Sequence, residues 1–175
     1  VLLDVLKRID KSRFDVSVFV GQDSKGIPLD FSELGVPVSV HTNLPVGISF
    51  GPIGILKTAL ALLRLAFELW KELDENRIEV VHINSIFALH FAIWPCLMRG
   101  VPVVYHEHGL ARDRHGSPWA LLYSQMIGRV NHTIAITDAV RDQVISYGSR
   151  PEATTTVHNG IEPRDPAAAT SAEAR

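Results

Sequence analysis

Two histidines, a glutamate and a glycine close a short apolar run in the middle of the chain. The run begins at Val101 and ends in the sequence His106, Glu107, His108 and Gly109. A strand buried on both faces is normally a continuous stretch of Val, Ile and Leu, so titratable side chains at its end cost stability unless they are solvated, paired or used. In open α/β sheets, ligands bind beyond the carboxyl ends of the strands. We therefore expect the functional site here.

Three kinds of role are open to this cluster. His106 and His108 lie two residues apart, so in a strand they share one face, with Glu107 on the other, and such a pair could bind a metal ion. A catalytic zinc site needs at least three protein ligands. Apart from His115 in a nearby loop, no further ligand spacing supports one, and we expect no metal. The other two roles are a hydrogen-bonded structural histidine and a side chain that contacts a ligand or transfers a proton.

Polar residues also follow three other predicted strands. They are Asn84 and Ser85, Thr137 and Asp138, and Asn159 and Gly160. In a parallel sheet all of these junctions open on the same edge, so polar groups from separate segments converge there. That convergence predicts a binding site more strongly than any single motif does.

The sequence does not support two common catalytic devices. A match to G-x-S-x-G at 47–51 falls in a predicted surface loop at 42–52 rather than on a tight strand-to-helix turn, and Cys96 falls inside a predicted helix, so we do not expect a serine or cysteine nucleophile. Neither G-x-x-x-x-G-K-[ST] nor G-x-G-x-x-G occurs, so no recognised loop of this chain binds phosphates.

Apolar and polar segments alternate in a strand–helix rhythm along the chain. Strands are predicted at 15–20, 36–40, 79–83, 103–108, 132–136 and 154–158. Helices are predicted at 2–9, 53–76, 86–99, 117–129 and 137–148, with Pro95 expected to kink or shorten the third. Ser85, Ser117 and Thr137 are predicted N-caps of the last three helices, Gly100 is the predicted stop of the third, and a Gly- and Pro-rich surface loop is predicted at 42–52. This alternation implies right-handed crossovers and a parallel sheet with helices on both faces. The predicted fold class is α/β, with a doubly wound, Rossmann-like parallel sheet.

The chain is long enough for one well-buried domain, which we place at 1–162. The segment 163–175 is rich in Ala, Pro and Ser and has the composition of a linker. A doubly wound domain usually opens with a strand and a glycine-rich turn, whereas the first predicted element here is a helix. We therefore expect that the first strand is missing and that the chain is a fragment cut at both ends.

The composition is that of an ordinary globular protein. Apolar residues make up 46% of the chain and charged residues 21%. A formal charge of −2 gives no electrostatic reason to expect nucleic acid as a partner. The single cysteine, Cys96, cannot form a disulfide within the chain, which suits a reducing cytoplasm. Cys96 is expected to be a small apolar residue of the core.

One apolar segment, 53–73, invites comparison with a membrane span. Four charged residues interrupt it at helical spacing: Lys57, Arg64, Glu68 and Lys71. The segment therefore predicts an amphipathic helix packed on a sheet, and it lacks the roughly 18 apolar residues that a span requires. A peripheral contact with the inner face of the membrane is the less favoured alternative.

Four stretches together resemble the N-terminal domain of a GT-B glycosyltransferase of family 4. The segment 79–85 (EVVHINS) resembles the family's "DVVHxH" strand, with Asn84 at the usual place of the second histidine. The segment 102–109 (PVVYHEHG) resembles "PVVxTxHD", with Gly109 in place of the aspartate. The segments 133–140 (TIAITDAV) and 157–162 (VHNGIE) are similar to "xIxxSxxxxxxL" and "VIxNGVD". Their order and spacing extend the resemblance over nearly the whole chain.

The resemblance implies a retaining enzyme with two Rossmann-like domains. The N-terminal domain binds the acceptor, which could be a glycan, a lipid-linked molecule or a small molecule. The absent C-terminal domain holds most of a UDP- or GDP-sugar, so the isolated chain is expected to be inactive and to need no other cofactor. His108 matches the histidine that contacts the transferred sugar, and Glu107 is expected to replace the carboxylate that Gly109 removes. Expected substrate contacts are Asn84, Ser85, His106, Glu107, Gly109, Thr137, Asn159 and Gly160.

Two other functions remain open at this point. A Rossmann-like half could bind a ligand or a partner and catalyse nothing. A sugar-nucleotide epimerase shares the two-domain architecture but should carry different histidine and carboxylate motifs.

Overall fold

A computed structural model describes residues 2–20, 34–41, 51–109 and 118–160. Within these ranges helices and strands alternate along the chain, as predicted. The helices are α1 (Leu2–Arg8), α2 (Pro52–Glu75), α3 (Ile86–Arg99), α4 (Pro118–Ile127) and α5 (Asp138–Ser146). The strands are β1 (Val18–Val20), β2 (Val38–Val40), β3 (Val81–Ile83), β4 (Val103–Glu107), β5 (His132–Ala135) and β6 (Thr154–Thr156), the last preceded by a 3₁₀ turn at Pro151–Ala153.

All strand pairs in the described residues are parallel, which confirms the predicted α/β class. Four strands form one sheet in the order β3-β4-β5-β6, with His82 opposite Val104 and His106 opposite Ile134. Each neighbouring pair is joined through a helix, as parallel strands require. This register brings the carboxyl ends of β3, β4 and β5 to one edge.

The remaining two strands form a sheet of their own. β1 pairs with β2, Val18 facing Val38, and neither strand is hydrogen-bonded to the larger sheet.

An aromatic contact joins the smaller sheet to the main core. The ring of Phe19 on β1 lies 6.0 Å from that of Phe91 on α3 and stacks on His41 at 4.5 Å. His41 in turn lies 3.3 Å from the carboxylate of Glu72 and 3.8 Å from that of Glu68, both on α2. The smaller sheet is therefore held through side chains rather than through a continuous hydrogen-bond ladder.

The main core lies between the four-stranded sheet and helices α2, α3 and α4. Its fully buried side chains come from all of these layers: Leu65, Leu89, Ile93, Cys96, Val103, Tyr105, Met126 and Ile127. Burial raises the pKa of the Cys96 thiol to about 12, so Cys96 is the inert core residue that the sequence predicted. At about 25 cal/mol per Å² of apolar surface, this burial is the main stabilising term of the fold.

Helix ends fix where the strands stop. The hydroxyl of Ser85 accepts a hydrogen bond from the amide of Phe87 at 3.2 Å, and Gly100 ends the same helix with a left-handed φ of 69°. Thr137 caps α5 in the same way, accepting from the amide of Val140 at 3.2 Å. These caps were predicted from the residue types.

Pro95 does not shorten α3, which continues to Arg99. Pro95 is itself fully buried in the core, between Ile93 and Cys96. Burial of this helix face outweighs the hydrogen bond that a proline removes.

Several predictions fall outside the described residues. These are the cap at Ser117, the loop histidine His115, the surface loop at 42–50 and the linker at 163–175. None of the helices in the described parts of the chain is long and apolar enough to cross a membrane.

Candidate functional site

The ends of β3 and β4 meet through one side-chain contact. Nε2 of His108 lies 3.3 Å from Oδ1 of Asn84, 24 residues earlier in the chain. Both residues are half-buried, so the contact lies at the edge of the core and is open on one side. The two predicted strand-end residues are therefore neighbours in the fold.

Three histidine rings stand in a row on this face. The ring of His106 lies 4.1 Å from that of His108 and 5.7 Å from that of His82, the latter nearly parallel at 11°. His106 is buried, and its Nε2 has no hydrogen-bond partner among the described residues. The middle ring of the row is therefore a packed residue, with an exposed ring on one side and a half-buried one on the other.

Burial, and next the neighbouring His108 and His82, lower the pKa of His106 to about 4. The pKa of His82 is also lowered, first by partial desolvation of its ring against neighbouring atoms, although the residue as a whole is exposed, and then by the proximity of His108. Because the charged form of His106 is disfavoured, its ring is neutral at pH 7. His108 therefore has an uncharged neighbour that gives its ring a fixed surface to pack on.

Glu107 turns to the opposite face of β4. Its Oε2 accepts hydrogen bonds from the hydroxyls of Tyr105, at 2.7 Å, and Tyr123, at 3.1 Å, while its Oε1 accepts from the amide of Gly109 at 3.3 Å. Burial is the largest cause that raises the pKa of both tyrosines, and the adjacent carboxylate adds to it. The expectation that Glu107 replaces a carboxylate beside the ring of His108 is not met, because side chains alternate along a strand.

The ends of β5 and β6 form a second group on the same edge of the sheet. Thr156 donates its hydroxyl hydrogen to Oδ1 of Asp138 at 2.6 Å, and Nδ1 of His158 lies 3.1 Å from the carbonyl oxygen of Ile136. Thr137 uses its side-chain oxygen in the helix cap. These bonds fix the backbone that leads to Asn159 and Gly160, which are both exposed.

The structure thus divides the predicted site residues into three sets. Asn84, His106 and His108 form one connected cluster. The side chains of Ser85, Glu107 and Thr137 are engaged in hydrogen bonds within the domain. Gly109, Asn159 and Gly160 lie at the same edge, and a Cβ added to either glycine would meet no atom within 4 Å.

His82 also joins this cluster, and the sequence analysis did not select it as a site residue. The missed signal is the spacing itself, because His82 and Asn84 share one face of β3 just as His106 and His108 share one face of β4. The parallel register, with His82 opposite Val104, then places both pairs on the same face of the sheet.

The described residues hold no group of three or more His, Cys, Asp or Glu side chains placed to bind a metal ion. What the cluster offers instead is an imidazole held at one nitrogen. In the tautomer whose Nε2 donates to the amide oxygen of Asn84, Nδ1 of His108 carries a lone pair. Such a ring can accept a hydrogen bond from a ligand hydroxyl.

Glycosyltransferase family 4 matches residues 1–165. The chain belongs to this family. Among solved structures, Anabaena HepE in complex with UDP aligns with a TM-score of 0.71 at 21% identity, over 99% of this chain and 44% of that one. UDP-N-acetylglucosamine 2-epimerase from Rickettsia bellii aligns with a TM-score of 0.62 at 15% identity, over 90% and 42%.

At these identities the two likenesses show the fold alone. The family 4 domain has the Rossmann-like architecture of the N-terminal half of a GT-B protein, and it spans about two fifths of the length of these structures. A comparison with curated proteins gives no match.

Proposed function

We propose that this domain forms the acceptor side of a retaining glycosyltransferase. The enzyme would transfer a sugar from a UDP- or GDP-sugar to a hydroxyl of a glycan, a lipid-linked molecule or a small molecule. Most contacts to the nucleotide would come from a second domain outside this chain. The observation that supports this proposal best is the contact of 3.3 Å between His108 and Asn84 at the carboxyl edge of the sheet.

His108 is the proposed catalytic residue. Asn84 holds its Nε2, and the lone pair of Nδ1 can then accept a hydrogen bond from a hydroxyl of the transferred sugar. Fixing that hydroxyl would position the sugar for attack by the acceptor. The polarised imidazole of His108 would also stabilise the charge that develops on the sugar during transfer. His108 therefore acts by positioning and electrostatics, without forming a covalent bond.

Asn84 and His106 are proposed as positioning residues. Asn84 selects the tautomer of His108, and the neutral ring of His106 limits how far the imidazole can tilt. Ser85, Glu107, Gly109, Thr137, Asn159 and Gly160 are proposed to contribute to the substrate surface. Glu107 and Thr137 would do so mainly through their backbone groups, since their side-chain oxygens are already hydrogen-bonded.

The donor to test first is a UDP-sugar. HepE has been crystallised with UDP, with UDP-glucose and with UDP and glucose, and GDP-glucose offers the matched alternative base. Release of UDP or GDP measures turnover, and the anomeric configuration of the product, read by NMR, tests retention.

The test of His108 compares two histidine variants of the full-length protein that contains this domain. We expect His108→Ala to lower kcat at least about a hundredfold, the usual range for a lost positioning or electrostatic contact. His132→Ala is the matched control, because His132 lies at the opposite edge of the sheet and contacts Thr155 at 2.9 Å. Near-normal turnover by a folded His108→Ala protein would contradict the proposal.

Asn84 is tested by separating its effects on kcat and KM. Asn84→Leu should lower kcat with a smaller change in the KM of the donor, and Asn84→His, which restores the residue usual in the family, should retain more of the activity. Equal loss in both variants would mean that Asn84 does not act through His108.

The epimerase and the simple binding module remain measurable alternatives. Interconversion of the donor sugar without transfer to an acceptor would indicate an epimerase, and donor binding without either reaction would indicate a binding module. The isolated domain is expected to transfer no sugar, because the contacts to the diphosphate leaving group lie elsewhere.

A further inference from the structure

Helix α2 carries two apolar faces, and the described residues cover only one of them. Gly54, Leu65, Leu69 and Leu73 face the core. A second row recurs at intervals of three and four residues along the other side: Ile53, Leu56, Leu60, Leu63 and Phe67. Each of these side chains is more than half exposed, from 57% at Leu60 to 72% at Ile53. A row with this spacing is the kind of stripe that a helix normally buries.

The exposed stripe continues onto the neighbouring helix. A shallow apolar groove separates α2 from α3, with Phe67 and Trp70 on one wall and Trp94 and Met98 on the other. Met98 and Trp94 are themselves exposed. Contiguous apolar surface of this extent on a folded protein marks an interaction site.

Basic side chains border this surface on both sides. Lys57, Arg64 and Lys71 recur every seven residues, which is about two helical turns, so they form one exposed row beside the stripe. At the other border the guanidinium carbon of Arg99 lies 4.2 Å from the ring centre of Trp70, and that of Arg129 lies 5.3 Å from Trp94. The apolar surface therefore has a basic rim with tryptophans inside it.

Two of the four acidic residues of α2 turn away from this surface. Glu68 and Glu72 both approach His41 on the side of the smaller sheet. Asp74 forms an ion pair of 2.9 Å with Arg99 at the last turn of the helix, which offsets the charge of Arg99, and Glu75 ends the helix there. The positive charge of the rim therefore rests on Lys57, Arg64 and Lys71 along α2 and on Arg129.

We propose that this face docks on an anionic phospholipid bilayer, with α2 lying parallel to the membrane plane. Leu, Ile and Phe side chains would enter the boundary between headgroups and acyl chains, and the tryptophans would sit at that boundary. The Lys and Arg side chains would extend their charged ends to lipid phosphates. A second copy of the chain fits this surface less well, because pairing two such faces brings two basic rims together.

The test measures binding of the full chain to vesicles by co-sedimentation at physiological ionic strength. One set is made of phosphatidylcholine alone and the other of phosphatidylcholine with phosphatidylglycerol. We expect binding to the anionic set, a blue shift of tryptophan emission on binding, and weaker binding as salt is added. Absence of binding to the anionic vesicles, or equal binding to both sets, would overturn the proposal.

Two pairs of variants separate the apolar contribution from the charge contribution. Leu60→Ser with Phe67→Ser removes apolar surface, and its matched control is Leu121→Ser, an exposed leucine on α4. Lys57→Gln with Arg64→Gln removes two charges, and its control is Lys7→Gln with Arg13→Gln, which removes two exposed charges elsewhere. Each test variant should bind anionic vesicles about tenfold more weakly or worse, while both controls bind like the parent protein.

All of these side chains are exposed, so the variants should keep the fold, which circular dichroism verifies. Sedimentation equilibrium provides the rival outcome. In that outcome the parent protein does not bind anionic vesicles, and it forms a dimer that the double variant Leu60→Ser with Phe67→Ser abolishes. This result would assign the face to a second copy and refute the membrane proposal.

Discussion

His106 and His108 place their ring centres 4.1 Å apart on one face of β4, yet their surroundings differ sharply. His106 is buried with an unpartnered Nε2, whereas His108 is half-buried and contacts Asn84. The same two-residue spacing therefore yields one packing residue and one residue that a ligand can reach.

The depressed pKa of His106 predicts acid-sensitive folding. In the unfolded chain the imidazole titrates near 6.5, and in the folded domain near 4. Between these values the unfolded state binds more protons, so the stabilising contribution is present above pH 6.5 and is lost as the pH falls toward 4. The full effect is up to about 3 kcal/mol in the free energy of unfolding.

Urea unfolding of the parent protein and of His106→Leu between pH 7 and pH 4 checks this prediction. The variant should lose much of the pH dependence and should be at least as stable at pH 7, because it no longer buries an unpaired nitrogen. His132→Leu, at the opposite edge of the sheet, should keep the parental slope. Identical slopes in all three proteins would show that His106 titrates normally in the folded state.

The hydrogen bond from Tyr123 to the carboxylate of Glu107 predicts that loss of the tyrosine hydroxyl lowers the stability of the fold. Removing the hydroxyl of Tyr123 eliminates a charge-assisted hydrogen bond of 3.1 Å beside the core. Tyr123→Phe should lower the free energy of unfolding by about 1–3 kcal/mol, measured by denaturant titration.

A double-mutant cycle with Glu107→Gln isolates this contact. If the two groups interact, the double variant should be more stable than the sum of the single effects predicts. Additive effects would mean that the measured loss comes from elsewhere in the tyrosine's environment.

A row of three hydroxyl groups, in which each donor can be assigned, predicts that two similar substitutions lower the stability by different amounts. Thr154 donates to the carbonyl oxygen of Arg150 at 2.7 Å, so its oxygen must accept from Ser149 at 2.9 Å, and Ser149 must then accept from Thr133 at 2.9 Å. Thr133 is therefore the outer end of this row, while Thr154 both donates and accepts.

Thr154→Val should cost about 1–3 kcal/mol, because it leaves the buried hydroxyl of Ser149 without an acceptor. The carbonyl oxygen of Arg150 keeps its hydrogen bond from the amide of Ala153 at 3.0 Å. Thr133→Val should cost less than about 1 kcal/mol, since Ser149 loses only a donor to one of its lone pairs. The two variants are matched in volume, so thermal unfolding compares them directly. Equal losses would contradict the assigned direction of these hydrogen bonds.

The end of α3 predicts a difference between two substitutions at one position. Gly100 has a φ of 69°, and a Cβ placed there would meet no atom within 4 Å. Gly100→Ala should therefore cost about 1–2 kcal/mol through backbone strain alone. Gly100→Asn should cost less, because asparagine tolerates this conformation, and chemical denaturation of the two variants gives the comparison.

Much of the fold follows from local sequence signals. Strand–helix alternation, the caps at Ser85 and Thr137, and the stop at Gly100 depend on residues close in the chain, and the structure confirms them. The separation of β1 and β2 into their own sheet was not predicted. Strand pairing is a relationship between distant segments, and hydrophobic periodicity carries no information about it.

The sequence predicts which candidate residues lie at strand ends, but it predicts only part of the contacts that their side chains make. The alternation of side chains along a strand places Glu107 on the face opposite to that of His108. It does not predict that Tyr123 donates a hydrogen bond to the carboxylate, because no local pattern connects Tyr123 to β4. The exposed row on α2 has the same spacing as the buried one, so the sequence predicts an amphipathic helix without showing which apolar face remains open.

The attachment of the smaller sheet through Phe19 has a kinetic consequence. A unit joined by ring packing and by His41, with no shared ladder, can open at a lower free energy than the domain as a whole. Amides of Val18–Val20 should then exchange with solvent through local openings, while those of Val103–Glu107 exchange only on global unfolding. The histidine row would stay assembled during such local openings, so the carboxyl edge of the four-stranded sheet would remain intact while the smaller sheet opens.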